Sequence, residues 1–181
     1  MKTSNRSSLL LSMVTVLLSA AAGGCVMSVE AEIPDVEVTQ HDLAFAGVPL
    51  GGIVGDVSMT RSFSQKHEKL DLPDGLDSEV KALAVSLIAK NGVKDFSFIH
   101  NLRLTMSDDS HTPVELINYQ QDGNVKPSAV LTMQSANPVN TLDQWKTDRA
   151  TFTVEVAGTL PEADWTVDLA IHFSGKVKYK Y

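Results

Sequence analysis

Residues 151 to 181 constrain the fold most. Phe152, Val154 and Val156 alternate with Thr153 and Glu155. Trp165, Val167, Leu169, Ile171 and Phe173 then share one face, while Thr166, Asp168 and His172 share the other. Successive side chains of a strand point to opposite faces, so a period of two marks a half-buried strand. Gly158 to Asp164, containing Pro161, reads as a turn or short loop, and the two runs are expected to pair as a β-hairpin with one wet face. The alternation continues past Gly175 into Val177, Tyr179 and Tyr181, opposite Lys176, Lys178 and Lys180. That is long for one strand, and it predicts a bend or bulge near Ser174-Gly175.

Earlier segments carry the same period. Val36 and Val38 are in one phase and Leu43 and Phe45 in the other, which a bulge near Gln40-His41 explains. Gly47 to Gly55 is a turn-rich connection, and Val57, Met59 and Phe63 suggest the next strand. Leu83, Val85, Leu87 and Ala89 suggest another, ending at the turn dipeptide Asn91-Gly92. Glu79 to Ala89 also holds good helix formers, but its alternation and its exit favour strand. Leu102, Leu104 and Met106 face one way, Arg103 and Thr105 the other. Val114 to Tyr119 and Ala129 to Met133 add two strands, with a turn at Asp122-Gly123 between them. Thr141-Leu142-Asp143-Gln144 has capping-box spacing, with Trp145 placed to pack inward from that helical turn.

Short strands at regular spacing, with turn signals between them, predict a mainly β chain: an immunoglobulin-like β-sandwich with one or two short helical turns. The paired cysteines of true immunoglobulin domains are missing, so the name describes architecture only. The length of 181 residues fits one domain, and an apolar fraction of 43% suffices for a core. There is no internal repeat and no second composition regime.

The first twenty-five residues read differently. Lys2 and Arg6 precede an apolar run from Leu9 to Leu18, followed by Ala20, Ala21 and Ala22 and then Gly23-Gly24-Cys25. The run has the length of a signal-peptide apolar region and is short for a membrane span. Small residues followed by cysteine resemble the lipobox of bacterial lipoproteins, with Ala22 where the family prefers leucine. An ordinary secretory signal and an uncleaved anchor compete with this reading. The lipobox is favoured because the only cysteine in the chain stands where a lipoprotein needs it. The resemblance implies cleavage before Cys25, lipidation of Cys25, and attachment to a membrane. In the enterobacterial sorting rule, Val26 in place of Asp leans toward the outer membrane. The expected organisation is a signal peptide over 1–24, a lipidated tether over 25–34 and a single sandwich domain over 35–181. The tether from Val26 to Pro34 would reach about 30 Å when extended.

Loss of Lys2 and Arg6 with the leader takes the net charge from -7 to -9. Such a surface repels phosphate backbones, so nucleic acid is not an expected partner. His41, His67, His100, His111 and His172 show no pairing at metal-ligand spacing. Asp71, Asp74, Asp77 and Glu79 cluster around Pro73 and Gly75. They could hold calcium, but a solvated loop explains them as well. No nucleophile elbow, S-x-x-K, H-E-x-x-H or phosphate loop is present. No cofactor, metal or catalytic residue is assigned.

Lys176, Lys178 and Lys180 would protect an exposed strand edge, or else meet anionic headgroups near the anchor. Trp145, Trp165, Tyr179 and Tyr181 could line a sugar or peptide site, although core packing suits Trp165 and Tyr179 better. The expected role is a non-enzymatic envelope module that binds or scaffolds a partner, with the membrane engaged through Cys25 and an envelope protein as the second partner. A carrier of a lipid or other small amphiphile, and a hydrolase with a scattered site, are the alternatives.

Overall fold

The computed structural model describes residues 28–49, 55–70, 77–123 and 127–180. Eight strands and one helical turn follow each other along the chain: β1 (Ser28–Phe45), β2 (Val57–Lys66), β3 (Asp77–Ala89), β4 (Ile99–Ser107), β5 (Val114–Gln120), β6 (Val130–Gln134), α1 (Leu142–Trp145), β7 (Arg149–Gly158) and β8 (Trp165–Lys180). They form two antiparallel four-stranded sheets, β1-β8-β3-β6 and β2-β7-β4-β5. The mainly β, two-layered architecture expected from the alternation is present. Its strand order is that of an eight-stranded jelly roll, built from two Greek keys. The likeness to immunoglobulin domains therefore extends to the layering and not to the connections.

The expected β7–β8 hairpin is corrected. β7 pairs with β2 and β4, and β8 pairs with β1 and β3, so the chain changes sheets between them. Each strand has one apolar face, and those faces meet across the core instead of lying side by side. Alternation reports which face is buried, not which strand is the neighbour. The same holds at Asn91-Gly92 and at Asp122-Gly123, where the chain also crosses between sheets. β4 and β5 are the consecutive strands that pair directly.

Bulges explain the changes of phase. β1 gains a residue between Gln40 and Leu43, where the slip was expected, and a second between Ile33 and Val36. β8 keeps its alternation through Ser174 and Gly175. The irregularity expected there lies on its partners instead, in β1 at 33–36 and in β3 between Ala82 and Ala84. The β3 bulge turns Leu83 out to 45% exposure, away from buried Val85 and Leu87. A long edge strand wrapping a long central strand accumulates twist, and a bulge in the partner releases it locally.

The core is filled by stacked rings. Phe45 lies on Trp165 with centroids 4.2 Å apart, and Phe98 meets the Trp165 ring edge-on at 5.2 Å. Further along, Trp145 packs edge-on against Phe173 at 5.1 Å, and Phe63 stacks on Phe152 at 5.3 Å. Leu102, Leu104, Met106, Val154, Val167 and Ile171 close the space around them.

α1 forms where the capping-box spacing placed a turn, but the box is not made. Thr141 is fully buried, and its hydroxyl donates to the Val80 carbonyl at 2.9 Å instead of capping α1. The Trp145 indole N–H donates to the Thr141 hydroxyl oxygen at 3.2 Å. A buried hydroxyl serves the backbone that buries it, and the Asn140 side chain takes over at the start of α1, accepting the Leu142 amide at 3.1 Å.

Candidate functional site

β1 begins at Ser28, inside the segment expected as tether, so Val26 and Met27 alone separate Cys25 from the first strand. Cys25 itself lies outside the described residues. From Ser28 to Ile33, β1 runs antiparallel to Lys180–Gly175 of β8, and β8 is flanked on its other side by β3 from Asp77 onward. The start of β1 and the finish of β8 lie at the same end of this three-stranded strip.

Register changes the meaning of the three lysines. β8 is a central strand, so protection of an exposed edge is corrected. Lys176 stands between Glu32 of β1 and Glu79 of β3, and Lys178 stands between Glu30 and Asp77. Lys180 is opposite Ser28. Cross-strand neighbours of opposite charge stabilise a sheet and cancel much of each other's far field. By backbone register four acids stand beside the three lysines, so the basic run that local sequence shows is not isolated in the sheet.

Asp71 and Asp74 of the acidic cluster, read chiefly as a solvated loop and alternatively as a calcium site, lie outside the described residues. Glu79 is engaged by Lys81 at 2.6 Å. Among the described residues no three histidine, cysteine, aspartate or glutamate side chains gather closely enough to hold a metal ion. Trp145 and Trp165 are core residues, at 5% and 1% exposure, and line no surface site. The side chains of Tyr179 and Tyr181 lie outside the description. No described helix is long and apolar enough to cross a membrane.

Four histidines pair with carboxylates. His100 meets Asp56 at 2.8 Å, His111 meets Asp108 at 2.8 Å, His41 meets Asp168 at 3.2 Å and His172 meets Glu37 at 3.5 Å. His67 instead rests against Trp145 at a ring separation of 4.7 Å, with its Nδ1 on the Glu68 carbonyl. Among the described residues each bonded imidazole nitrogen faces a carboxylate or carbonyl. No hydroxyl joins them in the relay that nucleophilic catalysis uses.

The polar cluster that pattern reading missed is centred on Asp168. Its place in the alternation put it on the wet face, yet it is only 8% exposed. The β1 bulge folds over it: Asp42, at φ 50°, donates its amide N–H to Asp168 Oδ1 at 3.0 Å. Lys90 Nζ at 2.9 Å and His41 Nδ1 at 3.2 Å reach Oδ2. Burial pushes this carboxyl up, but the Asp42 amide, the Lys90 ammonium and the His41 imidazole outweigh it and hold the group down at about 2. The cluster ties β1, β3 and β8 together at one point. A two-residue excursion in β1 and a distant lysine carry no periodic signal.

A depressed carboxyl stabilises the fold above its unfolded value near 3.8, and that stabilisation is lost as pH falls toward about 2. His41 and Lys90 are exposed, so screening limits the effect to about 1 kcal/mol. Asp168→Asn is expected to lower the urea midpoint at pH 7 and to flatten its decline between pH 4 and pH 2. Parallel midpoint-against-pH curves for the two proteins would show that Asp168 is not the group responsible.

No protein family and no curated protein matches the sequence. Among solved structures, a chain of infectious bursal disease virus Gx strain is similar over 91% of this chain and 37% of that one, at 10% identity and a TM-score of 0.36. The chain thus spans little more than a third of that neighbour's length, and a likeness this distant carries no argument about role.

Proposed function

We propose that the chain is a cell-envelope lipoprotein, cut before Cys25 and held by lipid on that residue, whose jelly roll is a non-catalytic binding or scaffolding module. The observation that carries this reading is the join between leader and fold. The only cysteine follows the apolar leader, and after two intervening residues the first described strand begins. An anchor so placed holds the β1–β8 end of the sandwich against the bilayer and turns the opposite loops outward. Each buried methylene contributes about 0.8 kcal/mol, so two or three acyl chains hold durably where one does not. Val26 favours the outer membrane as the destination under the sorting rule. The jelly-roll order itself names no activity, because the same fold hosts unrelated functions.

Fractionation of cells making the full chain tests the attachment. The wild-type protein is expected in the membrane pellet, resistant to high salt and released by detergent. Cys25→Ser is expected to leave that pellet or to accumulate as the longer, uncut precursor. Salt-extractable wild type would mean that charge, not lipid, holds the protein.

A further inference from the structure

The four large apolar side chains most exposed among the described residues all lie along one margin of the sandwich. Leu83 and Ile88 belong to β3, Val130 to β6, and Val139 to the segment after β6, next to Asn140, which bridges Lys81 of β3. Their exposures run from 41% for Ile88 to 49% for Val139. Ile88 and Val130 are direct cross-strand partners, so they form one continuous apolar step at the sheet edge.

β6 is the last strand of its sheet, and its outer side pairs with no strand among the described residues. The bonds flanking it settle which peptide groups face outward. The Ala89 amide donates to the Ala129 carbonyl and the Ser135 amide to the Leu83 carbonyl, so the odd-numbered residues of β6 bond to β3. In an antiparallel ladder the intervening residues then aim their peptide groups the other way. Those are Val130, Thr132 and Gln134. The Val130 amide is met by Ser128 Oγ at 3.2 Å, which leaves Thr132 and Gln134 as the outward-facing donors and acceptors.

The other margin is closed. Arg61 and Gln65 of β2 reach across and bond the Ala44 and Thr39 carbonyls of β1, each at 2.8 Å. The remaining edge strands are charged: β1 carries Glu30, Glu32, Asp35 and Glu37, β2 carries Arg61 and Lys66, and β5 carries Glu115. From Ser128 to Leu142, by contrast, the chain holds no charged residue. Lysine and other charges on an edge normally prevent edge-to-edge pairing, and β6 has none of them.

We propose that β6 is a self-association edge, and that two copies of this chain join by antiparallel pairing of β6 with β6 across a two-fold axis. Charge selects where a second copy can approach. The chain has a net charge of -7, so a second copy is opposed by like charge over most of its surface and meets no opposing charge along this edge. The strand is also self-complementary. The register that pairs all five residues places Thr132 opposite Thr132 of the second copy, Leu131 opposite Met133, and Val130 opposite Gln134. Threonine pairs are favourable across strands. Leu131 and Met133, which face the core in one copy, line up in the other, so two four-stranded sheets become one of eight. Val130 gains Gln134 of the second copy as a same-face neighbour, twice over, in an isologous contact. The proposal does not rest on lipidation of Cys25.

Thr132→Cys in the full chain, oxidised in intact cells, is the test. Opposed positions of an antiparallel pair lie within disulfide reach. Thr132→Cys is expected to run mainly as a linked dimer of the chain with itself. Asn118→Cys, at the exposed edge of the other sheet, and the wild type with Cys25 alone are expected to remain at monomer mass. Detergent-purified wild type should scatter light as two chains and Thr132→Lys as one, with Val130→Lys as a second variant and circular dichroism to show that each is folded. Wild type at one chain mass, or equal linking by Thr132→Cys and Asn118→Cys, overturns the proposal. So does a linked product containing a different protein, which would make β6 a strand-addition site for that partner.

Discussion

Replacing Trp165 by alanine is expected to remove about 3–5 kcal/mol of stability, a large fraction of what a domain this size has to lose. Trp165 is 1% exposed and stands where the two sheets meet at the start of β8. It stacks on Phe45 with an interplanar angle of 11° and takes the edge of Phe98 at 82°. Alanine would break both ring contacts and leave a cavity that neither bulged β1 nor the 159–164 crossover can fill without losing its own hydrogen bonds. The indole N–H is buried and has no hydrogen-bond partner among the described residues. A buried unsatisfied donor costs about 1–3 kcal/mol, which offsets part of the packing gain of tryptophan over a smaller ring. Trp165→Phe is therefore expected to cost far less than Trp165→Ala, and it separates ring packing from the polar cost. Urea unfolding followed by circular dichroism measures both. Equal losses in the two variants would show that a smaller ring recovers none of the packing, contrary to this account.

The second large effect is expected at Gly158, in the last position of β7. Gly158 is opposite Val57 of β2 and Ile99 of β4, so backbone closes in on it from both sides. A Cβ there would overlap the Phe98 carbonyl oxygen and crowd the His100 amide. Phe98 and His100 flank the point where β4 slips register against β7, and the Phe98 carbonyl also accepts the Thr159 amide at 3.0 Å. Relief would require pulling β4 from β7, so Gly158→Ala is expected to cost about 2–4 kcal/mol, well beyond the usual penalty for a surface change. Gly123→Ala, with no heavy atom within 4 Å of its Cβ, is the matched control. A thermal-melting comparison decides the point: similar midpoints for Gly158→Ala and wild type would mean that the close approach at Phe98 is readily relaxed.

The faces of the strands were legible because burial imposes a period of two on side chains. Phe152, Val154 and Val156, and Leu102, Leu104 and Met106, are all buried where alternation put them. The slip between Val38 and Leu43 announced the β1 bulge for the same reason. Strand neighbours were not legible. A β7 apolar face packs equally well beside β8 or across the core from it, and the seven-residue stretch from Gly158 to Asp164 serves either connection. Leu83 misled because the β3 bulge breaks the phase within a run that still reads as alternating. The lysines of β8 misled for a related reason: local sequence records their common face, while Glu30, Glu32, Asp77 and Glu79 are brought beside them from far along the chain. The β6 margin left a trace that could have been read, the charge-free run from Ser128 to Leu142 in an otherwise acidic chain.

The proposed function rests chiefly on Cys25, and a chemical measurement reaches it directly. Cells expressing the full chain are fed an alkyne-tagged fatty acid, and the protein is captured and assayed for label beside Cys25→Ser. Strong labelling in wild type that survives neutral hydroxylamine, as glyceryl esters and an N-acyl amide do and a thioester does not, and that is abolished in Cys25→Ser, is the result this account predicts. Label present equally in both proteins, or in neither, contradicts it.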